Sequence, residues 1–170
     1  MIGRMLGALQ LKSATFEAIE ADKKATAQAL LVVVVVAVVT GLVGLQVADD
    51  SAIWGLVLGI VLALVGWAVW AGITYFVGTT IFKTATTHAD WGELARVLGF
   101  AQTPGLFRIL GVIPGIGPIV LIVVAVWQIA AMVVAVRAAL DYTSTLRAIG
   151  VVLVGFVPYA IFLWVIAQLI

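Results

Sequence analysis

Ile113-Pro114-Gly115-Ile116-Gly117-Pro118 divides an apolar stretch that runs from Val97 to Val136. Crossing a ~30 Å hydrocarbon core takes roughly 20 helical residues, so that stretch has room for two crossings. The prolines and glycines between them favour a tight reversal. The reading is a helical hairpin within the membrane, and it decides the fold because it sets the number of crossings.

Working outward, Ala25 to Ala48 fits one crossing. Ser51 to Phe82 is longer than a single crossing needs, so the second helix tilts or projects on the cytoplasmic side past Tyr75. Ala148 to Ile170 makes the last crossing. The expected architecture is an all-α polytopic membrane protein with a cytoplasmic amphipathic segment over 1–24 and a five-span bundle over 25–170, its transmembrane helices near 25–48, 52–80, 94–113, 117–138 and 147–169. The third span is the weakest of these, because Arg96 and Arg108 bracket a short uncharged interval broken by Pro104-Gly105; a re-entrant segment is its rival. Asp90 with Glu93 three residues on has capping-box spacing and predicts a helix start there, which places Trp91 as an interfacial aromatic.

Charge orients the bundle. Arg4, Lys12, Lys23 and Lys24 precede the first apolar run, Lys83 and Arg96 flank the connection after the second, and Arg137 and Arg147 the connection after the fourth. The intervening loop at Asp49 and Asp50 carries only acids. By the positive-inside rule the N-terminus is cytoplasmic and the C-terminus outside. Composition demands a membrane in any case: 65% of residues are hydrophobic, 10% are charged and the mean hydropathy is +1.28. A net charge of +1 offers no basic face for nucleic acid. With no cysteine, disulfides and thiolate chemistry are excluded.

Before the first crossing, Ile2, Met5, Leu6, Leu9, Phe16 and Ile19 recur at near-helical spacing with Arg4, Lys12, Glu17 and Glu20 on other faces, which predicts an interfacial amphipathic helix. The same residues would also suit packing on the cytoplasmic ends of the bundle, and the two readings are compatible. The first apolar run is too long and starts too late for a cleavable signal peptide. Within the spans, Gly55, Gly59 and Ala63, and again Ala131, Ala135 and Ala139, repeat every fourth residue and are the candidate helix-packing faces.

The candidate intramembrane polar site is Arg108 with Gln102, Thr103 and Gln128. An ionisable residue inside a span is costly and therefore a functional candidate, although Arg108 lies near enough to the outer end to snorkel or to pair with Asp49 or Asp50. Gln102, Thr103 and Gln128 fall at similar depth, so adjacent helices can share a hydrogen bond there. Thr103 or Gln102 can also cover the Phe100 carbonyl, which Pro104 leaves without a donor.

No catalytic, cofactor-binding or metal-binding residues are expected. His88, the single histidine, sits in a threonine-rich cytoplasmic connection with no partner motif. Ser13, Ser51 and Ser144 have no base at recognisable spacing. Asp22 reads as a helix-start residue, Glu17 and Glu20 as solvated, and Arg137 with Asp141 as an intrahelical pair.

The segments Phe16-Glu17-Ala18-Ile19-Glu20-Ala21-Asp22, Arg96-Val97-Leu98-Gly99-Phe100-Ala101-Gln102-Thr103-Pro104 and Val136-Arg137-Ala138-Ala139-Leu140-Asp141-Tyr142 resemble the prokaryotic branch of the Yip family, the Ypt/Rab-interacting-type membrane proteins. The resemblance covers nearly the whole chain and implies a cytoplasmic N-terminal segment and five spans in the prokaryotic cytoplasmic membrane. Eukaryotic members are associated with Rab GTPases, vesicle traffic and membrane shape. The chain lacks their Asp-Leu-Tyr-Gly-Pro signature, so Rab binding does not carry over. The expected function is that of a non-enzymatic scaffold or accessory subunit whose partners are the lipid bilayer and other membrane-protein subunits or itself. A small-solute transporter or channel, and a membrane-shaping protein, are the alternatives.

Overall fold

The computed structural model describes residues 1–44 and 52–169. Among these the regular structure is helical: α1 Ile2–Leu9, α2 Ser13–Glu20, α3 Ala25–Gly44, α4 Ala52–Phe76, α5 Trp91–Phe100, α6 Gly117–Ala139 and α7 Thr145–Leu169. A π-helical turn, Val77–Ile81, extends α4, and a 3-10 helix, Thr103–Val112, follows α5. Four helices are long and apolar enough to cross a membrane: Ala25–Gly44, Ile53–Ile81, Gly117–Ala139 and Thr145–Leu169. This is a membrane protein.

The valine run of α3 would be a poor helix former in water, where β-branching restricts the side chains. In hydrocarbon every backbone polar group needs an internal partner, and a helix supplies them all. The hairpin before α6 turns at Gly115, whose φ of +84° suits a residue without a Cβ. Pro118 then stands in the first turn of α6, where its missing N–H costs nothing.

The segment expected to cross near 94–113 is not one α-helix. It starts as the spacing predicts: the Glu93 backbone N–H donates to Asp90 Oδ1 at 2.8 Å and the Asp90 N–H to Glu93 Oε2 at 2.8 Å, a complete capping box. Leu94 to Phe100 are all buried. Pro104 cannot donate to the Phe100 carbonyl, and Thr103 Oγ1 donates to it instead at 2.6 Å. Beyond that break the chain winds as the 3-10 helix.

Contacts set the register of this segment against its neighbours. A Cβ on Gly99 would lie 2.7 Å from Ala29 Cβ, and one on Gly105 would lie 2.6 Å from Val36 Cγ1 and 2.8 Å from Gln128 Nε2. Glycine is required at both places for the backbone to come this close. The segment therefore ascends beside α3 in the same direction and runs antiparallel to α6, which it meets again where Gly111 packs on Leu121.

The N-terminal segment is two short helices rather than one amphipathic helix. They reverse at Leu11, which takes φ +56°. Phe16 and Ile19 are buried in the core of the bundle, whereas Ile2 and Leu6 are exposed. Three hydrogen-bonded ties hold the pair down. Arg4 pairs with Asp22 at 2.6 Å and donates to Gln28 Oε1 at 3.1 Å; Arg96 donates to the Glu20 carbonyl; and Trp127 Nε1 donates to the Leu9 carbonyl at 3.0 Å.

Arg137 and Asp141 do not form the intrahelical pair their spacing suggests. The α6 helix ends at Ala139, and Asp141 takes φ +52°, which carries its side chain off the helical face. Arg137 instead donates to the Tyr142 carbonyl at 3.2 Å and to Thr145 Oγ1 at 3.1 Å, bridging the turn into α7. The Tyr142 hydroxyl donates to the Gly78 and Phe82 carbonyls at 2.8 and 3.1 Å and so fastens the same turn to the end of α4.

Candidate functional site

The register just described brings Arg108, Gln128 and Gln102 together with a residue the sequence did not single out, Thr40. Arg108 Nη2 donates to Gln128 Oε1 at 2.6 Å and Nη1 to Thr40 Oγ1 at 3.1 Å. Gln128 Nε2 donates to Gln102 Oε1 at 2.8 Å and to the Gln102 carbonyl at 3.3 Å. Thr40 in turn donates to the Val36 carbonyl at 2.8 Å, leaving its lone pairs for the arginine. Thr103 is fully buried beside this cluster, but its hydroxyl serves the Phe100 carbonyl and takes no part in it.

The guanidinium is turned inward. Gln128 lies eleven residues into α6, roughly 17 Å along the axis at ~1.5 Å per residue, so Arg108 reaches toward the middle of the bundle instead of snorkelling to its outer end. Its partners are neutral. Among the described residues the ion pair is Arg4 with Asp22; Asp49 and Asp50, the acids considered for Arg108, lie outside the described residues.

Beside this cluster is a cavity of about 390 Å³. Arg108, Gln102 and Thr40 form its polar wall, and Trp67, Trp70 and Phe156 much of its apolar one. Tyr159 also lines it, edge-on to Trp70 with ring centroids 5.2 Å apart. Trp70 is 3% exposed and its indole N–H has no hydrogen-bond partner among the described residues.

The two small-residue faces sit in different surroundings. Ala131, Ala135 and Ala139 are buried within the bundle. Gly55, Gly59 and Ala63 line the cavity, and among the described residues a Cβ built on Gly55 or Gly59 would meet nothing within 4 Å. The signals for the site's unforeseen members were weak: Thr40 is a hydroxyl near the end of an apolar run, and Trp67 and Trp70 lie in mid-span, away from the interfaces where tryptophan is usual.

At the end of α2, Glu20 departs from the solvated role its sequence position suggests. It is half-buried, its Oε2 has no hydrogen-bond partner among the described residues, and burial, followed by the charges of Asp141, Glu93 and Glu17, raises its pKa to about 7 against the opposing effect of Arg96. Asp22 behaves oppositely, because the hydrogen bond from Arg4 holds its carboxyl below the usual range. Its Oδ1 also accepts the Lys24 N–H at 2.9 Å, the helix-start role expected of it. His88 is exposed, and no cluster of three or more metal-ligating side chains occurs among the described residues.

The model of the Yip1 domain matches residues 6–166. No curated protein and no solved structure matches the chain. A match of that extent, over helices able to cross a membrane, makes this chain a member of the Yip1-domain family of membrane proteins.

Proposed function

We propose that this protein is a non-enzymatic scaffold or accessory subunit of a larger assembly in the prokaryotic cytoplasmic membrane, working through lateral helix contacts. The observation that carries the reading is the second half of α7. Its buried residues Ala148, Val151, Val152 and Gly155 all precede Pro158; beyond them Val157, Ile161, Trp164 and Leu169 are 58–77% exposed, so this stretch lies largely off its own bundle. A neighbouring helix would find there an aromatic and aliphatic face already in helical form.

The reading includes five crossings, with the N-terminus cytoplasmic and the C-terminus outside. Ten residues of α5 and ten of the 3-10 helix extend about 15 and 20 Å, enough together for a ~30 Å core. The parallel register with α3 supports that length being used across the membrane. Membrane shaping is a second reading, supported by Ile2 and Leu6, which are 73% and 53% exposed on α1.

The test of the main reading is purification of the tagged full chain at native abundance in a gentle detergent, with native electrophoresis and a photo-crosslinker at Trp164. Recovery in a complex of fixed stoichiometry, crosslinked through Trp164 to another membrane protein, is expected. Recovery as a lone chain or a homo-oligomer would overturn the accessory role.

A further inference from the structure

We propose that the cavity beside Arg108 binds a membrane amphiphile with an oxyanion head, the head on the Arg108 guanidinium and the hydrocarbon chain along the Gly55–Gly59 face of α4. This stands apart from the scaffold reading and survives its failure.

Arg108 supplies the charge. A guanidinium has five N–H donors in a planar fork that matches phosphate and carboxylate oxygens. The hydrogen bonds to Gln128 and Thr40 hold the fork in place without neutralising it. A cation inside a span with only neutral partners among the described residues is expensive, and an anion bound against it recovers that cost.

The cavity supplies the room. Its volume of about 390 Å³ falls within the range usual for ligand sites, roughly 300–1,000 Å³. Polar residues are grouped on one wall, and Trp67, Phe156 and the glycines of α4 form the other, the division an amphiphile itself has. A small-residue stripe in a bundle ordinarily receives the backbone of a neighbouring helix. Here no atom of the described residues lies within 4 Å of a Cβ on Gly55 or Gly59, so among them the stripe is an open trough along which an acyl chain can lie.

The full chain, purified in an uncharged maltoside detergent, is titrated with lysophosphatidic acid, with lysophosphatidylcholine of the same chain length and with inorganic phosphate, and binding is read from the thermal unfolding midpoint. Lysophosphatidic acid should bind saturably, and the phosphocholine analogue about tenfold or more weakly, because its phosphodiester has one ionisable oxygen fewer and carries a choline cation that the guanidinium repels. Arg108→Gln should abolish that preference. Gly59→Leu, whose Cβ meets no atom of the described residues within 4 Å, should weaken lysophosphatidic acid about tenfold by filling the trough and leave the fold intact. Equal binding of the two lysolipids, or binding of inorganic phosphate as tight as that of lysophosphatidic acid, would overturn the proposal. So would a head-group preference that emerges only when Asp49 and Asp50 are changed to Asn, since Arg108 would then belong to an ion pair with that loop. Should Arg108→Gln fail to fold, the head-group series on the unaltered chain and Gly59→Leu decide the matter.

Discussion

Glu20 carries its charge at an energetic cost. Its carboxyl titrates near 7 in the folded chain against 4.5 in the unfolded one, chiefly because burial disfavours the carboxylate. Between those two values the folded state holds a proton that the unfolded state has released, so stability falls as pH rises through that window and the loss is complete above about 7. Glu20→Gln removes the titrating group. The variant should match the parent at pH ~5 and exceed it in thermal midpoint at pH ~8 in the same detergent; an unchanged pH profile would refute the assignment. The sequence could not show this cost, because Glu20 reads as a solvated residue on an amphipathic face until α5 and α6 close over it. The glutamines were legible: depth arithmetic alone placed Gln102 and Gln128 level, and they are hydrogen bonded. Thr40 was not, since it reads as one more threonine bonded to its own helix, which it also is.

Among the elements, the long apolar helices were visible from length and hydropathy, and the α5 start from its capping box. Two features were hidden. One is the reversal between α1 and α2, made by Leu11 in a left-handed conformation that leucine gives no reason to expect. The other is the winding after Pro104: the proline announces a break, but whether an α-helix resumes depends on how closely α3 and α6 press on the segment. Gly99 tests that pressure. Alanine is favoured over glycine in a helix by about 1 kcal/mol, while forcing a methyl into a packed site costs about 1–3 kcal/mol. At Gly99 the new Cβ meets Ala29 Cβ at 2.7 Å and Ala29 backbone atoms at 3.2 Å, so packing should win and Gly99→Ala should destabilise. Gly59→Ala has the same gain in propensity and no neighbour among the described residues, and should not. Denaturation midpoints of the two variants in one detergent give the comparison, and equal effects would remove the argument from close approach.

For the whole molecule, topology is the property most directly open to measurement. The chain has no cysteine, so single cysteines can be introduced into an otherwise unaltered protein. With five crossings, Ile116→Cys in the exposed turn before α6 should react with a membrane-impermeant maleimide in intact cells, and Thr143→Cys, exposed between α6 and α7, only after permeabilisation. A re-entrant third segment would reverse both results. The distribution of lysine and arginine argued for the first pattern before any coordinates, because charge asymmetry is a property of the chain alone. The cavity was not legible in that way: five separate segments build it, and the spacing of Gly55 and Gly59 looks the same whether a helix or a void lies opposite.

The 3-10 winding of Thr103–Val112 has a mechanical consequence. With three residues per turn, Gly105, Arg108 and Gly111 stack in a single row. Over its ten residues the segment is about 5 Å longer than an α-helix would be. It is therefore an extended spring, latched at Arg108 between Thr40 and Gln128. Rewinding it as an α-helix would draw the turn at Gly115 toward α5 by that same distance and swing the arginine row round by roughly 20° per residue, so the axial length of this segment and the position of its arginine are one coordinate.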